Sequence, residues 1–542
     1  MNKKTWTWLP VIIVAALISG IYLGRYYYQS NLIKSGLFSS YGKIERLLDI
    51  INRQYVDTVS IKDLTEDIMP KIIGELDPHS AYIPAKDLES VNEELEGSFG
   101  GIGVQFSILK DSITVVSVIS GGPSEKVGIL PGDRIIAVND TAFVGKEVTN
   151  ENVLAKLRGK KGTKIKLGIK RASSKTPLEF TVTRGEIPMN SVDVSFKIND
   201  KTGYIKVSKF GRTTYDEFMN ALAKLRQEGA EKFIVDLRGN TGGYLDATIN
   251  MVNEFLPKGQ LIVYTEGKAF RKEEVFSNGT GAFQKNQVVV LMDEWSASAS
   301  EIFAGAIQDN DRGLIIGRRS FGKGLVQQQI PFSDGSAIRL TIARYYTPSG
   351  RSIQKGYEMG KTDDYSQDIM NRYLHGEFDS KDSIKQNTEL LYTTLNGREV
   401  YGGGGIMPDI FVPRDTIGIT SYFNNVVNNG LLYQFAFQYS DEHRQKLETF
   451  NGYQELLKYM QQQPILNEFV SYAATQGVKP RPVYINISRR LITDQLHAYI
   501  ARNILGDDAF YPIILAHDNT FLKAVEILNE DKGFPVIPGE EQ

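Results

Sequence analysis

The chain has 542 residues, 62 of them basic and 64 acidic, and no cysteine. That length divides into several domains. The near balance of charge offers nucleic acid no footprint, and the missing cysteine excludes disulfides, thiolate metal sites, cysteine nucleophiles and a lipid anchor on cysteine.

Lys3 and Lys4 precede an uncharged run, Thr5 to Gly24, that ends at Arg25. Trp6 and Trp8 flank it on one side and Tyr26 to Tyr28 on the other. Such a run is long enough to span a bilayer, with aromatic residues at the interfaces and the lysines cytoplasmic. Residues 1–32 therefore read as a cytoplasmic stub and signal anchor. The lack of a small-x-small site before the tyrosines argues against a cleaved signal peptide.

Residues 33–96 alternate helical patterns with loops. Ile44, Leu47, Leu48 and Ile51 form an apolar stripe. Leu76-Asp77-Pro78-His79-Ser80-Ala81-Tyr82 is rich in turn formers. His79 has no histidine or acidic cluster at metal-ligand spacing and reads as structural.

Residues 97–186 open with Gly100-Gly101-Ile102-Gly103-Val104 and continue through an apolar, β-branched run, Ile113 to Ile119. GGPSEKVGILPGDRIIAVND (Gly121 to Asp140) follows, with Val153, Leu154 and Leu157 on a later helix. The segment resembles a PDZ domain. Successive amides of Gly101, Ile102 and Gly103 can form a nest for a chain-terminal carboxylate, and the strand from Val104 accepts the peptide as an added strand. The glycines also suit tight turns regardless of any ligand.

Residues 187–415 alternate strands, helices and glycine loops. Gly203 to Val207 is a strand and Tyr215 to Leu225 an amphipathic helix. Phe233 to Leu237 is a buried strand running into Arg238-Gly239-Asn240-Thr241-Gly242-Gly243. That order predicts a crossover α/β core with its site at the carboxyl ends of the strands. Val288 to Met292 is another strand, and from Ser298 the pattern turns helical, with Glu301 in the first turn. Leu314 to Gly317 precedes Phe321-Gly322-Lys323-Gly324. Gly356 to Arg398 is polar and predicted to be a surface insertion; residues 416–542 read as a helical extension with a packing or dimer role.

A serine thus stands where a strand meets a helix. Its hydroxyl needs a base, and the unpaired amides at a helix start can hold an oxyanion. The five histidines, His79, His375, His443, His497 and His517, all lie outside this stretch. Lysine serves as the base if burial lowers its pKa, and Lys323 lies between Phe321 and Leu325-Val326. The serines can equally be an N-cap and a packing face. Gly317 to Gly324, GRRSFGKG, nearly matches a phosphate loop, but Gly324 replaces the magnesium-binding hydroxyl and LVQQQIPF reads as strand.

SASASEIFAGAIQD followed by GRRSFGKGLVQ closely resembles the carboxyl-terminal processing, or tail-specific, proteases. The Ser336–Gly350 and Gly402–Pro413 segments resemble the family too, as does Asp77–Tyr82, in a helical region that in the family can mediate dimers. The resemblance implies a serine peptidase with a Ser-Lys dyad. Ser298, rather than Ser296 or Ser300, is then the nucleophile, Lys323 the general base and Gln327 the residue positioning it. Ala299 supplies one oxyanion amide and Gly242 the second, with Gly243 as fallback. The implied fold is multidomain α/β (α+β): anchor helix, N-terminal helical region, PDZ domain, crossover α/β protease core and helical extension. The implied enzyme is a bacterial, inner-membrane, single-pass endopeptidase facing the periplasm. It takes protein substrates by their apolar C-terminal tails and needs no metal, cofactor, nucleotide or nucleic acid. The competing reading is a catalytically silent PDZ scaffold, against which the intact Ser298, Lys323 and Gln327 set argues.

Overall fold

The computed structural model describes residues 13–25, 40–109, 112–119, 121–171, 174–530 and 534. They fall into two compact units, Met1–Leu76 and Asp77–Gln542. In the first, residues 13–25 are helical, followed by the helices Ser40–Gln54 and Ile61–Gly74. The start of the predicted anchor lies outside the described residues. Among the described residues no helix is long and apolar enough to cross a membrane.

The unit boundary falls at Leu76, not at residue 96 as the pattern suggests. Ala81–Ile83 is a strand, pairing antiparallel with Ala337–Tyr346 in the protease region. Three residues are too few to show a strand period, so the sequence hides this one.

The PDZ region closes on itself where expected: Ser98–Gly101 pairs with Gly185–Pro188. Its main sheet runs Val104–Leu109, Ser112–Val118, Arg134–Val138, Lys164–Lys170, Leu178–Thr183. Alternate residues of Lys164–Lys170 face inward, so Ile165, Leu167 and Ile169 join Ile113, Val115 and Ile135 in the core. The helix Asn150–Leu157, capped by Thr149, buries Val153 and Leu157 on that core and leaves Leu154 exposed. Val104–Leu109 is an edge strand of this sheet.

The protease core is built on a six-stranded sheet in the order Val192–Lys197, Thr202–Val207, Lys232–Asp236, Gln287–Met292, Leu314–Gly317, Ile410–Phe411. The first pair is antiparallel and the rest parallel. Parallel strands covered on both faces read as continuous apolar runs, as Val288 to Met292 does. One face is covered by the crossover helices Thr214–Gln227, Leu245–Asn253 and Ala299–Asp309, through Phe218, Leu222, Met251, Phe303 and Ile307.

The opposite face is covered by the C-terminal extension. Leu515, Phe521, Ala524 and Leu528 pack on Tyr204, Ile234, Val289, Leu291 and Ile316. The extension therefore completes the sheet's second layer as well as forming a helical bundle with its own core, which includes Phe435, Phe469, Leu496 and Ile500.

The segment 356–398 is likewise more than a surface insertion. Its helix Thr362–Leu374 and the turn after it bury Tyr365, Arg372, Glu377 and Phe378, although much of 379–391 is exposed. Arg372 and Arg319 share Glu377, and Arg372 also donates to the carbonyls of Arg319 and Ser320. Charge dominates this stretch because its buried polar groups hold one another, and composition alone does not separate that from solvation.

Candidate active site

The strand Gln287–Met292 ends in a turn, and the helix Ala299–Asp309 begins immediately after Ser298. Ser298 has φ 55° and ψ −114°. A non-glycine residue there carries roughly 1–3 kcal/mol of backbone strain, which persists only where the surroundings enforce it. Asp293 helps enforce it: its Oδ1 accepts the N–H of Gly239 at 2.9 Å and those of Trp295 and Ser296 at 3.1 Å each.

The three serines separate cleanly. Ser296 and Ser300 are wholly buried, their hydroxyls donating to the carbonyls of Leu237 and Asn240, both at 2.9 Å. Ser298 is the one of the three that lines an open cavity of about 840 Å³, shared with Lys323, Gln327, Gly242, Gly243 and Ala299.

Glu301 ties the serine turn to the lysine loop. It is fully buried; Oε2 accepts the N–H of Ser298 at 2.8 Å and of Lys323 at 2.9 Å, and Oε1 accepts Gly322 N–H at 2.7 Å and the Ser320 hydroxyl at 2.5 Å. The Ser298 bond is half of a capping box, S-x-x-E, a pattern visible in the sequence. Tyr345, also buried, donates to the carbonyls of Ser298 and Lys323.

Lys323 Nζ donates to Gln327 Oε1 at 3.0 Å in this conformation. Burial, then the nearby Arg339, lowers its pKa; Glu301 and Asp77 pull weakly the other way. Gln327 Nε2 in turn donates to the main-chain carbonyl of His79. His79 therefore stands close to Lys323, the candidate base. It is not the base itself: its Nε2 pairs with the Tyr365 hydroxyl at 2.7 Å, and burial followed by the Lys323 charge pushes its pKa down to about 4.

The two candidate oxyanion glycines, Gly242 and Gly243, differ in how their amides are engaged. A Cβ on Gly242 would lie 2.7 Å from Ser298 Cβ, so glycine is required there for close approach. But Gly242 N–H already donates to Asn240 Oδ1 at 2.8 Å. Among the hydrogen bonds of the described residues, none engages the amides of Gly243 and Ala299. Of the two glycines, only the fallback, Gly243, has an amide without a protein acceptor among the described residues. An Asn side chain folding back two residues is common in glycine loops, and nothing in the spacing reveals it.

In the PDZ region Gly101 pairs with Gly185, whereas the amides of Ile102 and Gly103 have no protein acceptor among the described residues. Gly103 has φ 77°, which suits a nest. Ile102 also buries its side chain; of the four predicted peptide contacts, Ile102 and Gly103 offer open amides, Gly101 is paired with Gly185 and Val104 starts the edge strand. Leu154 and Arg158 line the same cavity as Ser298. No cluster of three or more His, Cys, Asp or Glu able to hold a metal occurs among the described residues.

Residues 201–366 match peptidase family S41, residues 100–183 the PDZ domain, and residues 422–506 a family of unknown function, DUF8443. The carboxy-terminal processing protease CtpB of Bacillus subtilis is 36% identical over 316 residues, covering 58% of this chain and 65% of that protein. A probable CtpA-like serine protease of Staphylococcus aureus is 33% identical over 359 residues, covering 65% of this chain and 71% of its own. The chain belongs to the carboxy-terminal processing protease family. By that membership in a family of processing proteases it is a serine-type peptidase. The family match spans Ser298, Lys323 and Gln327, and it also reaches Tyr365. A solved photosystem II D1 C-terminal processing protease is 26% identical, covering 58% of this chain and 90% of that one, at a TM-score of 0.32.

Proposed function

We propose that the protein is an endopeptidase that cleaves other proteins near their carboxyl ends through a Ser298–Lys323 dyad. The observation that carries this is the lysine's setting: a buried amine with lowered pKa, held by Gln327 in the cavity that holds the strained serine. Neutral Lys323 takes the Ser298 proton as the hydroxyl attacks the peptide carbonyl. The amides of Ala299 and Gly243 receive the negative charge that develops on the carbonyl oxygen. Lys323 then protonates the leaving amine, and water releases the acyl group.

The tail is captured by the PDZ region. The free edge of Val104–Leu109 supports strand addition, the Ile102 and Gly103 amides support carboxylate capture, and Leu154 supports an apolar side chain. The names of the relatives, carboxy-terminal processing protease among them, point to the same substrate class. The uncharged run Thr5 to Gly24 supports a membrane anchor with the protease on the periplasmic side of a bacterial inner membrane.

Ser298→Ala and Lys323→Ala should each lower the cleavage rate of unfolded casein by about 10⁴-fold or more. Lys323→Arg should do the same, because arginine keeps its proton. Either alanine variant working at the wild-type rate would refute the dyad. A wild-type protein that binds tails and never cleaves them would be the silent scaffold instead.

A further inference from the structure

Gln327 serves Lys323 only if the correct end of its amide faces the amine. The two ends are opposites: Oε1 accepts and Nε2 donates. Nε2 is committed to the His79 carbonyl, which leaves Oε1 3.0 Å from Lys323 Nζ. One carbonyl, 248 residues earlier in the chain, thus decides what the general base meets.

The residue bearing that carbonyl is fixed from two directions. Beneath it, Asp77 Oδ1 accepts the N–H of His79 and Ser80, each at 2.8 Å. Thr341 secures this turn to the long strand, donating from its N–H to Ser80 Oγ at 3.0 Å and from its hydroxyl to Asp77 at 3.1 Å. Beyond it, His79 Nε2 meets the Tyr365 hydroxyl at 2.7 Å, the two rings edge to face with centroids 5.1 Å apart. Tyr365 comes from the segment 356–398. It is buried edge-on to Phe321 of the lysine loop, and the Lys355 ammonium sits 4.1 Å from its ring and 3.9 Å from that of Phe321. The charged groups facing His79 are thus Asp77, Lys323 and Lys355. Burial and the two lysines keep the imidazole neutral, so His79 itself adds no positive charge beside Lys323 at neutral pH.

We propose that Tyr365 is a positioning residue for the general base: its hydroxyl anchors the His79 ring, and His79 presents the carbonyl that turns Gln327 Oε1 toward Lys323. The proposal rests on the dyad reading above. It gives the 356–398 segment a function in the reaction it does not itself touch.

Tyr365→Phe removes one oxygen and keeps the ring packing. It should lower kcat about tenfold, equivalent to about 1.4 kcal/mol of barrier, and leave KM unchanged. In a Gln327→Ala background the same change should add nothing, since both act through one contact. His79→Leu should reproduce the deficit from the other side of the bond, and His79→Gln, which still offers Tyr365 a partner, should restore most of it. The His79 pair decides the matter should circular dichroism show Tyr365→Phe unfolded. An additive loss with Gln327→Ala, or equal rates for His79→Leu and His79→Gln, overturns the proposal. Wild-type kcat in Tyr365→Phe alongside an inactive Lys323→Ala overturns this relay and leaves the dyad standing. A fully active Lys323→Ala removes the dyad itself.

Discussion

Arg339 and Lys323 line the same cavity, and the guanidinium disfavours a second positive charge. In the proposed mechanism catalysis needs the neutral amine, so activity should rise with pH as Lys323 loses its proton, and anything that lowers its pKa should extend activity toward acid. Arg339→Gln removes such a charge. The acid limb of kcat/KM should move to higher pH, with the alkaline plateau little changed; an unmoved limb would show that burial alone sets the base. At this scale the sequence was legible where the chemistry is local. Ser298 stands where the strand Gln287–Met292 gives way to a helix, and Lys323 lies on the loop between the strands Leu314–Gly317 and Leu325–Pro331, both placements readable from local apolar and glycine patterns. Gly242 and His79 were not legible. The Gly242 amide is engaged by an Asn side chain, and the His79 carbonyl acts on a residue far along the chain.

Among the elements, the crossover strands and helices followed directly from apolar runs and helical periods. The 356–398 segment misled, and the extension's packing role was read without its partner surface; both contribute to surfaces that other segments define. The helix Asn519–Glu530 shows a stripe of Phe521, Ala524 and Leu528 whose partner is the back of the sheet. A stripe announces burial without naming the surface that buries it. Asp518, just before that helix, binds Arg238 through both oxygens at 2.9 and 2.8 Å, at the entrance to the glycine loop. Phe521→Ala should cost about 3–5 kcal/mol, mostly by opening a cavity against Tyr204 and its neighbours. Urea denaturation checks it: a midpoint that moves by less than about 1 kcal/mol equivalent would mean the extension is merely appended.

Across the whole molecule, two buried histidines make the fold sensitive to acid. His79 and His497 each have a pKa of about 4, held down first by burial, against an ordinary 6.5. Between those values the unfolded chain binds protons that the folded chain refuses, so stability present above pH 6.5 is lost as the pH falls toward 4. With His79 half-buried and His497 buried, each contributes about 2 kcal/mol after screening. Denaturation midpoints measured at pH 7, 5.5 and 4 should fall steadily, and His497→Leu should flatten part of the slope. An unchanged midpoint between pH 7 and 4 would contradict it.

The sheet that carries the nucleophile turn draws its second helical layer from residues 507–530. During translation the strands from Val192 to Gly317 leave the ribosome well before those helices exist. Until residues 507–530 arrive, Ile234, Val289, Leu291 and Ile316 lack the helical cover that Leu515, Phe521, Ala524 and Leu528 give them. The core sheet is therefore covered on that side only by residues made well after its own strands.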